Sequence, residues 1–229
     1  MKIQAIIPAA GEGLRLRSDK PKPFIQIKGQ TILALTLKVF EASELIDSVV
    51  LVASVERLSE FETLIRSQGF KKVSRIVAGG KTRRASVYNG LQVIDQDTEV
   101  VVVHDAARPL IDVATLEKAL ALSKDHLAVV VGVPVKPTIK RVDQKSMAIK
   151  ETIERNGLWE IQTPQVFQKE LLIKAHAQNG ELDASDDALL VEKLGVDVKI
   201  IEGTYRNIKI TTAEDLTVAA AFLSEEVPS

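Results

Sequence analysis

The sequence predicts an α/β protein built on a Rossmann-like, mainly parallel twisted sheet with helices on both faces. Three observations lead there. Short apolar, β-branched runs alternate with helix-length amphipathic segments, the pattern of consecutive βαβ units. The composition, 45% hydrophobic and 27% charged, is that of a globular chain able to bury a substantial core and argues against global disorder. At 229 residues the length suits one large α/β domain over 1–229.

The apolar runs give the strands in order. Residues 3–7 form the first, 48–53 the second, 73–78 the third, 100–104 the fourth with its four successive valines, and 128–133 the fifth. Amphipathic segments at 32–42, 55–68, 83–94 and 113–123 supply the intervening helices. From Pro134 to Gln162 the alternation stops. Pro134 and Pro137 lead into short alternating stretches around Thr138 to Val142 and Glu151 to Arg155, which read as a two-stranded arm over 134–162. An isolated ribbon is marginal in water, so the arm needs a surface to pack on, and a second subunit is one source. Helices resume at 168–177 and 186–194, followed by strands at 197–202 and around 208–210 and a last helix from Thr212. Thr211 with Glu214, or Thr212 with Asp215, has capping-box spacing at that helix start.

Several function classes fall away. Lys+Arg 30 against Asp+Glu 31 gives a net charge of −1, which removes the broad attraction used by nucleic-acid and anionic-membrane binders while leaving room for a local basic site. The absence of cysteine excludes disulfides, thiolate zinc sites and thiol nucleophiles. His104, His126 and His176 lack metal-ligand spacing. No apolar run approaches the roughly 20 residues of a membrane helix. The run at 3–10 is short, follows a lone Lys2 and enters Gly11-Glu12-Gly13, so it reads as a buried strand rather than a signal core. The expected location is cytoplasmic.

Ligands of open parallel sheets collect outside the carboxyl ends of the strands, which directs attention to three segments. After the first strand come Ala9, Ala10, Gly11 and Gly13, then Arg15, Arg17, Lys20 and Lys22. Small residues permit close approach of a ligand to backbone amides, and the cations suit a polyphosphate; a plain tight turn with a solvated basic face is the alternative. Neither a dinucleotide fingerprint, which needs glycine where Leu16 stands, nor a Walker A loop, which needs glycine at Arg75, fits. After the third strand, Gly79-Gly80 precedes Arg83, Arg84 and Ser86, where a base or ribose and a helix N-terminus could meet, or where an ordinary turn could stand. After the fourth, Asp105 could hold Mg²⁺ against phosphate oxygens, or else pair with Arg108 or cap a helix. His104 reads as a packed strand-end residue. Arg155 on the arm, the Asp183–Asp187 cluster and Asn207-Ile208-Lys209 are each structural when taken alone.

Together these motifs resemble one family. Pro8-Ala9-Ala10-Gly11-x-Gly13-x-Arg15 through Pro21-Lys22, Gly80 with Arg83 and Ser86-Val87, His104-Asp105-Ala106-Ala107-Arg108-Pro109, Arg155-Asn156-Gly157-Leu158-Trp159, Thr163-Pro164-Gln165 and Asn207-Ile208-Lys209 are similar, in order, to those of 2-C-methyl-D-erythritol 4-phosphate cytidylyltransferases. The resemblance implies a reaction of CTP with methylerythritol 4-phosphate that gives the CDP-alcohol and pyrophosphate, in non-mevalonate isoprenoid synthesis. It implies that Arg15 and Lys22 stabilise the transition state, that Arg155 and Lys209 hold the acceptor, and that Asp105 lies beside Mg²⁺ or another divalent cation. It assigns nucleotide contacts to Ala9, Ala10, Gly11, Gly13, Gly80 and Ser86, and acceptor-side contacts to Thr138, Thr163, Ser185 and Arg108. It also implies a homodimer in which the arm carries Arg155 and Thr138 to the neighbouring subunit. Pro23, Lys81, Pro137 and Ser185 depart from the family's usual pattern without removing a catalytic cation. A cytidylyltransferase for another polyol phosphate, such as ribitol 5-phosphate, and a non-catalytic nucleotide-binding module are the competing functions.

Overall fold

The computed structural model describes residues 1–11, 13, 16, 20–178 and 184–224. The first half runs β1 (Ile3–Pro8), a short hairpin of β2 (Gln26–Ile27) and β3 (Gln30–Thr31), α1 (Ile32–Ala42), β4 (Ser48–Ala53), α2 (Leu58–Gln68), β5 (Val73–Ala78), α3 (Arg83–Leu91) and β6 (Val100–Val103). The second continues with α4 (Val113–Leu122), β7 (Ala128–Pro134), β8 (Ile139–Val142), β9 (Ile149–Ile153), β10 (Trp159–Gln168), α5 (Lys169–Gln178), α6 (Asp187–Glu192), β11 (Lys199–Glu202) and α7 (Ala213–Phe222). Seven strands form one sheet in the order β11-β7-β10-β6-β1-β4-β5, parallel except for β10, which runs antiparallel to both β6 and β7.

The strands β1, β4, β6 and β7 are buried on both faces, which is why they are apolar almost along their length. Successive residues alternate between two cores. Ile3, Ala5 and Ile7 of β1, with Leu51 of β4 and Val102 of β6, pack against Leu37 and Phe40 of α1, Phe61 of α2 and Leu116 of α4. Ile6, Val50, Val52, Val101 and Val103 face the other way, onto Val87 of α3, Leu172 of α5 and Leu190 of α6. Caps start the helices where the sequence changes period: the Thr31 hydroxyl accepts from Ala34 N–H at α1, and the Asp112 carboxylate from Thr115 N–H at α4. At α7 the Thr212–Asp215 alternative is the capping box that forms, with Asp215 accepting from the Thr212 amide at 2.8 Å.

Several features differ from the sequence expectation, among them the β2–β3 hairpin, where no strand was expected. The helix expected over 55–68 begins as a 3₁₀ turn at Val55–Arg57 before α2. Residues 208–210 are irregular rather than a strand; Ile210 N–H instead donates to Ala107 C=O at 2.8 Å. The strand β10 was not anticipated, because Pro164 and interspersed polar residues break the apolar pattern. Its pairing with β7 shifts register between Ile161 and Gln165, around that proline. Consequently Pro134 and 159–162 belong to the central sheet, and the arm is the shorter β8–β9 ribbon. The ribbon is largely exposed and leaves Val142, Met147 and Ile149 open to solvent.

Candidate active site

The direction of winding reverses at β1: β4 and β5 lie on one side of it and β6 on the other. A crevice is expected outside the strand ends at such a reversal. A cavity of about 680 Å³ opens there, walled by the segments that follow β1, β5 and β6 and closed by the stretch that leads into α7.

The segment after β1 contributes Ala9, Ala10, Gly11 and Gly13 to the wall, and Lys22 lies on the same surface. Gly13 has φ +71°, and a Cβ there would lie 2.7 Å from Cβ of Lys22. Both the left-handed backbone and the close approach therefore require glycine. Lys22 crosses to the far end of the chain, where its Nζ donates to the Ile210 carbonyl at 3.0 Å. Arg15 lies outside the described residues.

The wall after β5 is set by Gly79, whose position a Cβ would drive to within 2.3 Å of Ala10 Cβ, so the first and third segments touch only because it is glycine. Thr82 caps α3 by accepting from Ala85 N–H. Gly80 and Ser86 both reach the cavity, and the Ser86 hydroxyl accepts from Gly80 N–H at 3.1 Å while donating to Thr82 C=O at 3.0 Å.

Asp105, two residues beyond the end of β6, lines the cavity and is 7% exposed. The sequence left open whether it pairs with Arg108. Its partners are instead Arg83 Nε at 2.8 Å and Lys209 Nζ at 2.6 Å. Burial opposes its ionisation, but the charges of Arg83 and Lys209 outweigh that and hold the carboxyl well below the usual range. His104 beside it is buried, and desolvation pushes its imidazole down to about 4, so it is neutral at pH 7. Its Nε2 faces the Arg108 carbonyl at 3.1 Å, which requires the proton on that nitrogen; Nδ1 then accepts from the Thr163 hydroxyl at 3.0 Å, which in turn accepts from the Asp105 amide at 3.1 Å. Thr163 and His104 thereby orient the Asp105 backbone from inside the protein.

Lys209 is held by long-range contacts. Arg108 is buried with its Nη1 on the Asn207 carbonyl at 2.7 Å, and the Asn207 amide donates to Gln162 Oε1 and the Thr163 carbonyl. The side chain of Arg108 thus braces the segment carrying Lys209 and does not line the cavity. Among the described lining residues the cations Lys22, Lys81, Arg83 and Lys209 face the single carboxylate Asp105, an excess suited to a polyanion.

Three sequence candidates stand away from this cavity. Thr138 and Arg155 are exposed on the arm side of the chain, where Arg155 Nη1 donates to the Lys136 carbonyl, and Ser185 is exposed just before α6. The sequence reading assigned no role to Arg83 or to Asp187, which pair at 2.7 Å. Arg83 follows the Gly79-Gly80 turn in the sequence, and Asp187 is visible there only as part of an acidic cluster. Asp186 in that cluster does cap α6, accepting from Leu189 N–H.

Comparison with known proteins gives concordant matches. Residues 3–225 match the family model described as IspD, 2-C-methyl-D-erythritol 4-phosphate cytidylyltransferase. A protein of that name from Alkaliphilus oremlandii is 46% identical over 226 residues, covering 97% of this chain and 95% of its own. One from Geobacillus thermodenitrificans is 41% identical, covering 99% of each. Among solved structures, the 4-diphosphocytidyl-2C-methyl-D-erythritol synthase of Anaerococcus prevotii superposes with a TM-score of 0.85 at 31% identity, covering 98% of this chain and 99% of that one. The 2-C-methyl-D-erythritol 4-phosphate cytidylyltransferase of Thermus thermophilus gives 0.82 at 32% identity over 98% and 100%. With a matching model over nearly its whole length and relatives above 40% identity, the chain belongs to the 2-C-methyl-D-erythritol 4-phosphate cytidylyltransferase family.

Proposed function

We propose that this protein transfers the cytidylyl group of CTP to 2-C-methyl-D-erythritol 4-phosphate, releasing pyrophosphate, as a cytoplasmic enzyme of non-mevalonate isoprenoid synthesis. The observation that carries the reading is the convergence of Lys22, Asp105 and Lys209, from distant parts of the sequence, on one cation-rich cavity. A phosphate oxygen of the acceptor attacks the α-phosphorus of CTP in line; the new P–O bond forms as the bond to the β-phosphate bridge breaks, and the electron pair leaves with pyrophosphate. Such a transfer asks for positioning and charge neutralisation more than covalent help.

In this reading Gly11, Gly13 and Gly80 let the nucleotide approach the backbone, with Ala9, Ala10 and Ser86 beside it. Lys22 and Arg15 neutralise charge that grows on the phosphoryl oxygens. Lys209 and Arg155 hold the acceptor phosphate. Thr163 and Arg108 act from behind, fixing Asp105 and the Lys209 segment, while Thr138 and Ser185 serve the acceptor's far side. Among the described residues there is no cluster of three or more metal-ligating side chains. Asp105, the single carboxylate among the described lining residues, is an oxygen donor of the kind that suits Mg²⁺ at a polyphosphate site. Asp105 would hold that cation, which would supply charge neutralisation for the polyphosphate during transfer.

Two features support a homodimer of one-domain subunits. The arm exposes Val142, Met147 and Ile149, an apolar set that a bare ribbon cannot shelter. Arg155 also lies away from its own subunit's cavity, as it would if it completed a neighbour's site. Pyrophosphate release measured with CTP and Mg²⁺ tests the function against methylerythritol phosphate, ribitol phosphate and no acceptor. Methylerythritol phosphate should be required. Equal release with ribitol phosphate, or none with either, refutes the proposal.

A further inference from the structure

A buried ionic cluster extends from Asp105 into the layer behind the cavity wall. Arg83 spans two carboxylates with different nitrogens of its guanidinium: Nε meets Asp105 Oδ1 at 2.8 Å and Nη1 meets Asp187 Oδ2 at 2.7 Å. Asp187 is 1% exposed and does not reach the cavity. Its other oxygen meets Nε2 of the fully buried His176 side chain at 3.0 Å. Its amide, with that of Ala188, donates to Gln165 Oε1 at 3.2 Å, and Gln165 Nε2 closes the loop on Asp186 at 2.8 Å. The Asp187 carboxylate is therefore fixed by α5, by β10 and by its own helix start.

Such burial is costly for a carboxylate, and well-packed apolar residues would stabilise the fold as well or better. A reason to retain the charge lies in what it does to Arg83. A guanidinium is planar and presents separate donor edges, so anchoring one edge on a fixed carboxylate sets the plane of the other. With that plane set, Nε occupies Oδ1 of Asp105 and leaves Oδ2 toward Lys209, 2.6 Å away.

We propose that Arg83 and Asp187 are positioning residues: Asp187, locked by His176 and Gln165, orients the Arg83 guanidinium so that Asp105 presents one defined oxygen to Lys209 and to the bound metal–nucleotide. This rests on the role given to Asp105 above. Supporting residues of this kind typically change metal affinity or activity 10- to 100-fold, which sets the scale of the test.

The test is a double-mutant cycle of Asp187→Asn with Asp105→Asn, read in kcat, in KM for CTP and, by electron paramagnetic resonance, in Mn²⁺ affinity with CTP present. Asp187→Asn should lower kcat and weaken Mn²⁺ binding by about 10-fold or more, with KM for CTP changed much less. In the Asp105→Asn background the same substitution should add almost nothing to either loss. Multiplicative losses in either measurement, or wild-type kcat in Asp187→Asn, overturn the proposal. Wild-type turnover in Asp105→Asn alone instead removes the role of Asp105, and the positioning proposal falls with it. If circular dichroism shows Asp187→Asn unfolded, the pair Arg83→Met with Asp187→Leu, which removes both charges of that pair and leaves Asp105 its Lys209 partner, replaces it in the cycle under the same criteria.

Discussion

Replacing Lys22 with methionine keeps most of the side chain's length and removes its charge, so it isolates the electrostatic role. The Nζ is held on the cavity wall by the Ile210 carbonyl at 3.0 Å. A unit charge about 4 Å away at an effective dielectric near 20 interacts by about 4 kcal/mol. If roughly half a charge develops on the nearest phosphoryl oxygen between ground and transition state, about 2 kcal/mol is lost, and loss of a charge-assisted hydrogen bond brings the expected fall in kcat to roughly 10²-fold. The assay is steady-state pyrophosphate release at saturating CTP and acceptor. KM for CTP should move by less than about 10-fold, because the interaction grows only as the reaction proceeds. The loss of the bond to Ile210 should cost about 1 kcal/mol of stability, a small drop in melting temperature. Lys81, on the same cavity but exposed, is the control, and Lys81→Met should alter kcat by less than about 3-fold because solvent screens it. A Lys22→Met enzyme with near-normal kcat, or one whose whole defect lies in KM, refutes the reasoning.

Two further outcomes are expected. Mixing the inactive variants Arg155→Ala and Lys22→Ala, with subunit exchange verified, should recover part of the activity through hybrid dimers that hold one intact site; no recovery assigns Arg155 to its own subunit's cavity. Folding should also lose stability between pH 6.5 and about 4 because of His104. Its folded-state imidazole is pushed down to about 4 by burial, whereas the unfolded chain takes up the proton near 6.5, so the contribution is complete above 6.5 and disappears as pH falls through that window. From pH 7 to 5 this amounts to about 2 kcal/mol. Urea titrations should show that slope in the wild type and a flatter one in His104→Gln; parallel slopes refute the assignment.

The parallel strands β1, β4, β6 and β7 were legible because each is a local apolar run whose burial on both faces leaves nothing for polar residues to do. The strand β10 was not, since its glutamines and Pro164 are tolerated only by its particular neighbours: Gln165 turns to the start of α6 and Gln162 to Asn207. The irregular stretch at 208–210 escaped for a related reason, as β-branched residues there suggest a strand while the ordering contacts come from Ala107 and Arg108.

The candidate site divides the same way. Glycines and cations after β1, glycines after β5 and an acid after β6 could be read as ligand-binding segments because strand ends in such sheets converge. Their order along the chain sufficed for the family resemblance. What Asp105 faces could not be read, because Arg83 precedes it and Lys209 lies near the other end of the chain. The same holds for Asp187, which the sequence shows as one acid in a cluster beside a helix start and the fold turns into the anchor of Arg83. Local patterns fix which elements form, since propensity and burial periodicity act over a few residues. Which charges meet was decided by the tertiary structure, because pairing energies depend on distance and burial that exist only once the sheet is assembled.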